Sequence, residues 1–167
     1  MTKFKGIYPA LITPFDKKGS VNPEKIQQVV DICINKGVSG FYVGGSTGES
    51  YLLSLEERRQ VLEKVVKTVN GRGDVIANIG VFATEQGIEL AKHAEAMGVS
   101  AISSVPPFYF PFTMEEYVQY YNDLADSVNI PVIIYNIPAM SGITFKTDDI
   151  ERFFLNEKII GMKHTSY

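Results

Sequence analysis

The sequence is poor in residues that cross-link a chain or bind metals. Its 167 residues include one cysteine, two histidines and no tryptophan. A single cysteine cannot form an internal disulfide, and the helical apolar pattern around Cys33 predicts a buried structural thiol. Neither histidine has a partner at metal-ligand spacing, so no metal site is expected. The chain also lacks a GxSxG turn, which argues against acyl transfer by a Ser, His and Asp set.

The chain has neither a strong charge excess nor a long apolar run. Its formal net charge is -3, and its 16 basic and 19 acidic residues are interleaved, so no basic patch is available for a nucleic-acid backbone. No apolar run reaches the roughly 20 residues that a membrane span needs, and no signal-peptide pattern precedes the first apolar run. These features predict a cytoplasmic protein that binds neither nucleic acid nor membranes.

Short apolar runs alternate with longer segments of helical period, which is typical of β/α units and a parallel sheet. The predicted strands cover residues 6–15, 40–46, 74–80, 101–107, 131–138 and 159–166. The predicted helices cover residues 22–36, 54–70, 84–97, 113–127 and 147–155. Ser54 and Thr113 are each followed three residues later by glutamate, which is the spacing of a capping box. With no linker or change in composition, we expect one domain.

Two architectures fit this pattern. An open doubly wound sheet suits a chain of this size, whereas an eight-stranded parallel β/α barrel typically needs about 250 residues. The polar residues at the ends of successive predicted strands favour the barrel: Ser46, Thr47, Glu49, Tyr109, Tyr135, Asn136, Lys163 and Thr165. The sixth apolar run reaches Tyr167 without a following helix. We therefore expect residues 1–167 to form an incomplete (β/α)8 TIM barrel of about six strands and five helices, completed in a longer chain or by a complementing C-terminal segment.

Lys163 is the first candidate for chemistry. It lies near the end of an apolar strand, where an ammonium group is costly to bury, and the neutral amine is the form that attacks a carbonyl to give a Schiff base. The alternative is a lysine that extends from the strand end to water. Its position at the carboxyl end, followed by His164, Thr165 and Ser166, adds weight to the chemical interpretation but does not by itself outweigh this alternative.

Three further segments are candidates. The glycine-rich residues 44–49 contain Ser46 and Thr47, whose hydroxyls and nearby N–H groups could bind a carboxylate, although such a segment can also be a simple turn. Tyr135 ends the fifth predicted strand and could pass protons to a substrate oxygen, or be an ordinary half-buried strand residue. The proline-bracketed aromatic run 107–112, with Tyr109, predicts a pocket wall or a subunit contact.

Together these residues resemble the N-acetylneuraminate lyase branch of the dihydrodipicolinate synthase and N-acetylneuraminate lyase family of pyruvate-dependent class I aldolases. The resemblance runs from the segment 6–15 through Ser46-Thr47 and residues 135–142 to residues 163–166. It implies Lys163 as the Schiff-base lysine and Tyr135 as the proton donor and acceptor. It also implies that Ser46 and Thr47 bind the pyruvate carboxylate.

By the same resemblance, Thr165 contacts the sugar acid and Tyr109 enters the active site of a neighbouring subunit. His164 departs from the lyase pattern, in which another residue is common after the lysine.

The resemblance further implies reversible cleavage of N-acetylneuraminate (sialic acid) to N-acetylmannosamine and pyruvate, with no cofactor and in a homotetramer. Two alternatives stay open at this point. One keeps the Schiff base but changes the aldehyde partner, as in dihydrodipicolinate synthase or another 2-keto-acid aldolase. The other is an inactive assembly fragment that needs a complementing chain.

Overall fold

The computed structural model describes residues 4–166, so the predicted chain end at Tyr167 lies outside the described residues. The described residues form two compact units. The first consists of residues 4–77 with Met97–Ser100, and the second of Asn78–Ala96 with residues 101–166. Within the described part of the chain, no helix is both long enough and apolar enough to cross a membrane.

The first unit pairs two helices with two parallel strands. Helix α1 (Pro23–Asn35) precedes strand β1 (Gly40–Val43), and helix α2 (Leu55–Val69) precedes strand β2 (Asp74–Asn78), which belongs to this unit up to Ala77. Gly40 lies opposite Asp74 in the β1–β2 register. The apolar faces of α1 and α2 pack together in a core that includes Ile26, Val30, Phe41, Val61, Val65 and Val69. Burial of such side chains is the main stabilising contribution.

Two predictions for this unit need correction. The run 6–15 forms no strand: it makes only two isolated bridges, a parallel one between Ala10 and Tyr42 and an antiparallel one between Phe15 and Val21. The segment still runs beside β1, because the Leu11 N–H donates to the Tyr42 carbonyl, but Pro9 and Pro14 have no N–H to extend a ladder. Cys33 is half-buried rather than buried, because it lies in the last turn of α1.

The start of α2 is fixed by the predicted capping box. The Ser54 hydroxyl accepts from the Glu57 N–H at 3.2 Å, and the Glu57 carboxylate accepts from the Ser54 backbone N–H and from the Ser54 hydroxyl, each at 2.8 Å. The bond from the backbone N–H, and then that from the hydroxyl, lower the pKa of Glu57. We expect Ser54→Ala to lower the free energy of unfolding by about 1 kcal/mol, measured by urea titration. Ser20→Ala, outside any helix cap, is the matched control. Equal losses in both variants would contradict the capping role.

A second prediction concerns Tyr8, whose hydroxyl donates to Asp74 at 2.7 Å. Burial, and then the hydrogen bond to this carboxylate, raise the pKa of Tyr8 to about 12. Because the folded state holds the proton more tightly than the unfolded state, this stabilisation is complete below about pH 10 and is lost as the pH rises through the folded pKa. We expect Tyr8→Phe to flatten the alkaline fall in stability, measured by urea unfolding at several alkaline pH values. An unchanged slope contradicts the assignment.

The second unit contains three parallel strands with helices between them. Its elements are α3 (Thr84–Ala96), β3 (Ala101–Ser104), α4 (Met114–Asp126), β4 (Val132–Asn136), α5 (Pro138–Ser141), α6 (Thr147–Phe153) and β5 (Ile159–His164). Strand β4 pairs with β3 on one side and β5 on the other. Tyr121 and Phe153, both fully buried, meet edge to face at 5.2 Å in the core.

The predicted helix bounds hold to within about two residues at each end, the usual uncertainty in helix ends. The short helix α5 was not predicted. It begins at Pro138, which the sequence analysis placed at the end of a strand, whereas β4 already ends at Asn136. Proline is favoured in the first turn of a helix, because a backbone N–H there would have no partner within the helix and its absence costs nothing.

Candidate active site

The carboxyl ends of β4 and β5 bring two predicted site residues side by side. In the parallel register, Tyr135 lies opposite Lys163 and Asn136 lies opposite His164. Successive side chains of a strand point to opposite faces. The register therefore places Tyr135 and Lys163 on one face, and Asn136 and His164 on the other.

The Lys163 amine is held by its neighbours on the first face. Its Nζ lies 3.3 Å from the centroid of the Tyr135 ring and donates to Thr165 Oγ1 at 3.2 Å. Tyr135 is 4% exposed, whereas Lys163 is half-buried rather than enclosed in a packed interior as predicted. The position of Lys163 explains this difference, because it is the last residue but one of β5 and its side chain lies over the Tyr135 ring at the strand end. The arrangement gives a partly accessible amine beside a phenol and a hydroxyl.

The opposite face carries a second set of contacts, which the sequence analysis did not predict. Asn136 Nδ2 lies 3.0 Å from His164 Nδ1, and His164 Nε2 lies 2.7 Å from Ser166 Oγ. The Thr165 N–H also donates to the Asn136 carbonyl at 2.9 Å. A sequence signal was present in the period of two that separates Lys163 from Thr165 and His164 from Ser166.

Ser46 and Thr47 lie in the first unit, within one 3-10 turn (Ser46–Gly48), and both are exposed. A hydrogen bond from Thr13 stabilises this turn, because Thr13 Oγ1 donates to the Gly48 carbonyl at 2.7 Å. A Cβ at Gly48 would lie only 2.9 Å from the Leu11 carbonyl oxygen, so this position requires glycine. Two hydroxyls on a turn that leads into α2 can donate to an anion.

Tyr109 lies in the predicted aromatic run of the second unit and is 74% exposed. Its ring meets Phe110 edge to face at 5.0 Å and Phe82 at 6.2 Å. Phe110 is itself 61% exposed. The second unit therefore brings together Lys163, Tyr135 and Thr165, whereas Tyr109 makes ring contacts with Phe82 and Phe110.

Across residues 4–166, no group of three or more His, Cys, Asp or Glu side chains is arranged to hold a metal ion. The residues that the second unit gathers are instead an amine, a phenol and hydroxyls, which suit covalent carbonyl chemistry with proton transfer.

The family model described as "Dihydrodipicolinate synthetase family" matches residues 3–167. The chain belongs to this family. A curated relative, the N-acetylneuraminate lyase of Escherichia coli (strain SMS-3-5 / SECEC), is 39% identical over 166 residues, covering 99% of this chain and 56% of the relative. This family member thus spans about half the length of the curated relatives it matches.

Two solved structures extend the comparison. The catalytic lysine mutant of the sialic acid aldolase from Ruminococcus gnavus has a TM-score of 0.94 and 38% identity, covering 98% of this chain and 54% of the aldolase. Dihydrodipicolinate synthase from Aquifex aeolicus has a TM-score of 0.93 and 34% identity, covering 98% of this chain and 56% of the synthase. These neighbours are TIM-barrel enzymes, which confirms the predicted fold class and the family resemblance.

Proposed function

We propose that this protein is a carbon-carbon lyase that reversibly cleaves N-acetylneuraminate to N-acetylmannosamine and pyruvate through a Schiff base on Lys163. The observation that carries the proposal is the position of the Lys163 amine, 3.3 Å from the Tyr135 ring centroid and hydrogen-bonded to Thr165. A nucleophile, a proton-transfer group and a hydroxyl that can bind substrate are thereby held at neighbouring strand ends. The aldolase whose name mentions a catalytic lysine supports the same chemistry.

The proposed reaction begins when the neutral Lys163 amine attacks the C2 carbonyl of the open-chain sugar acid. Water leaves, and the resulting protonated imine accepts electrons. Tyr135 then takes the proton of the C4 hydroxyl while its own phenolic proton passes to the substrate carboxylate, the C3–C4 bond breaks, and its electron pair forms an enamine as the aldehyde departs. Tyr135 gives a proton to C3 and recovers its own from the carboxylate, and hydrolysis of the imine releases pyruvate and regenerates the amine. Atoms and electrons balance without a cofactor.

The other predicted site residues have supporting roles in this proposal. Ser46 and Thr47 are expected to bind the substrate carboxylate, and Thr165 to contact the sugar acid while it orients Lys163. Tyr109 is expected to act across a subunit contact in a homo-oligomer. Its 74% exposure, beside Phe110 at 61%, is compatible with such a contact, because contiguous exposed apolar patches commonly mark interaction sites.

A second candidate keeps Lys163 and Tyr135 but condenses pyruvate with aspartate semialdehyde, as in dihydrodipicolinate synthase. The 34% identity to the Aquifex aeolicus synthase favours it as an alternative. The lyase is preferred because Ser46-Thr47 and the segment from Lys163 to Ser166, apart from His164, resemble the lyase branch.

Parallel assays can separate the two candidates. The protein is supplied with N-acetylneuraminate in one assay, and with pyruvate plus aspartate semialdehyde in the other. We expect pyruvate release from the sugar acid to exceed condensation by at least about 100-fold in kcat/KM, since a site with matched polar contacts discriminates strongly. Faster condensation would select the synthase.

A further inference from the structure

Tyr135, Lys163 and Thr165 together are called the reacting face. On the opposite face, Asn136, His164 and Ser166 form a hydrogen-bonded chain, called the supporting chain. Asn136 Nδ2 lies 3.0 Å from His164 Nδ1 and can only donate, so a hydrogen bond between the two atoms requires Nδ1 to accept. A neutral imidazole that accepts at Nδ1 carries its proton on Nε2. Nε2–H therefore donates to Ser166 Oγ, 2.7 Å away. The chain runs from Asn136 through His164 to Ser166.

Burial makes the first link of this chain the important one. Asn136 is 3% exposed, and among the described residues its buried Oδ1 has no hydrogen-bond partner. The side-chain amide of Asn136 is thus held by its contact with His164. The backbone carbonyl of Asn136 separately accepts from the Thr165 N–H. His164 itself is exposed, but losing its imidazole would leave Nδ2 of the buried Asn136 side chain without this partner as well, which is costly.

We propose that His164 is a positioning residue that holds the reacting face in register from behind; this inference rests on the proposed function. Each member of the supporting chain directly follows a member of the reacting face: Asn136 follows Tyr135, His164 follows Lys163, and Ser166 follows Thr165. Through the backbone, the supporting chain sets how Lys163 Nζ lies over Tyr135. Small displacements of reacting groups lower rates much more than they lower binding.

The test measures Schiff-base formation directly. The protein is mixed with pyruvate and sodium borohydride, and the rate of adduct formation on Lys163 is followed at several pyruvate concentrations. We expect His164→Ala to lower the maximal rate by about 10- to 100-fold, with little change in the half-saturating pyruvate concentration. His164→Asn should restore most of the rate, because its amide oxygen can replace Nδ1 as acceptor for Asn136.

His93 in α3 provides the matched control, since it is the only other histidine. His93→Asn should react at the rate of the unsubstituted protein. A His164→Ala rate equal to that of the unsubstituted protein, or a His164→Asn rate as low as that of His164→Ala, overturns the positioning role.

Nitrogen NMR of the unsubstituted protein tests the inference without depending on the folding of any His164 variant. The protein is labelled with 15N-histidine, and comparison with His93→Asn assigns the signals. At neutral pH, we expect His164 Nδ1 to be unprotonated and Nε2 to be protonated. The opposite tautomer overturns the inference. Failure of the proposed function looks different: a folded, unsubstituted protein would then form no adduct on Lys163 at all.

Discussion

Replacement of Lys163 by alanine is expected to lower the turnover of N-acetylneuraminate by about 10³-fold or more, because no nucleophile is left to form the imine. The structure gives Lys163 a defined position, over the Tyr135 ring and hydrogen-bonded to Thr165. An alanine at this half-buried strand end removes these contacts and leaves no buried charge unpaired. The fold should therefore persist. Pyruvate release, followed continuously and normalised to folded protein by circular dichroism, measures the effect.

Lys158 is the matched control, because it precedes the same strand and has a structural role. Its Nζ donates to the carbonyls of Ala125 and Val128, each at 2.9 Å. Lys158→Ala should therefore cost roughly 1–3 kcal/mol in unfolding free energy while leaving turnover per folded molecule unchanged. If Lys163→Ala kept ordinary turnover, or if Lys158→Ala alone abolished it, Lys163 would not be the nucleophile.

Tyr135→Phe is expected to lower kcat by about 10²- to 10⁴-fold, because it removes the hydroxyl that carries protons during carbon–carbon cleavage. The aromatic ring beneath the Lys163 amine remains, so imine formation with pyruvate should continue. The two steps are separated by measuring sugar-acid cleavage and borohydride trapping on the same preparation. Loss of cleavage with retained trapping is the predicted pattern.

Tyr120→Phe controls for the loss of a buried phenol. The Tyr120 oxygen lies 2.7 Å from Ser104 Oγ in the core of the second unit. Its removal should lower stability by about 1 kcal/mol without a specific loss of cleavage. The proton-transfer role of Tyr135 is wrong if Tyr135→Phe cleaves at the normal rate, or if Tyr120→Phe loses cleavage to the same extent.

Features set by neighbouring residues could be predicted from the sequence. The capping boxes at Ser54 and Thr113 depend on residues three positions apart, and both form as predicted. The run 6–15 was misjudged because its apolar, β-branched character outweighed Pro9 and Pro14 in the prediction. Proline cannot donate to a ladder, so an extended segment there forms only isolated bridges.

For the candidate site, the identity of the residues could be predicted from the sequence, but their contacts could not. Lys163 and Tyr135 were identified by their motifs at strand ends, and their contact depends on the β4–β5 register. The chain through Asn136, His164 and Ser166 depends on the same register: the period of two relates His164 to Ser166, but it does not show that Asn136 lies beside them. Strand register is set by packing and by turns rather than by the residues of one strand. The half-buried state of Lys163 could not be predicted either, because it depends on how far β5 continues beyond this residue.

Borohydride trapping with pyruvate, followed by peptide mapping, tests the central claim most directly. The protein is reduced in the presence of pyruvate, and the modified peptide is identified by mass. We predict a single stable adduct on Lys163, absent when pyruvate is omitted and absent from Lys163→Ala. An adduct on a different lysine, or an unmodified Lys163 in folded protein, would contradict the account.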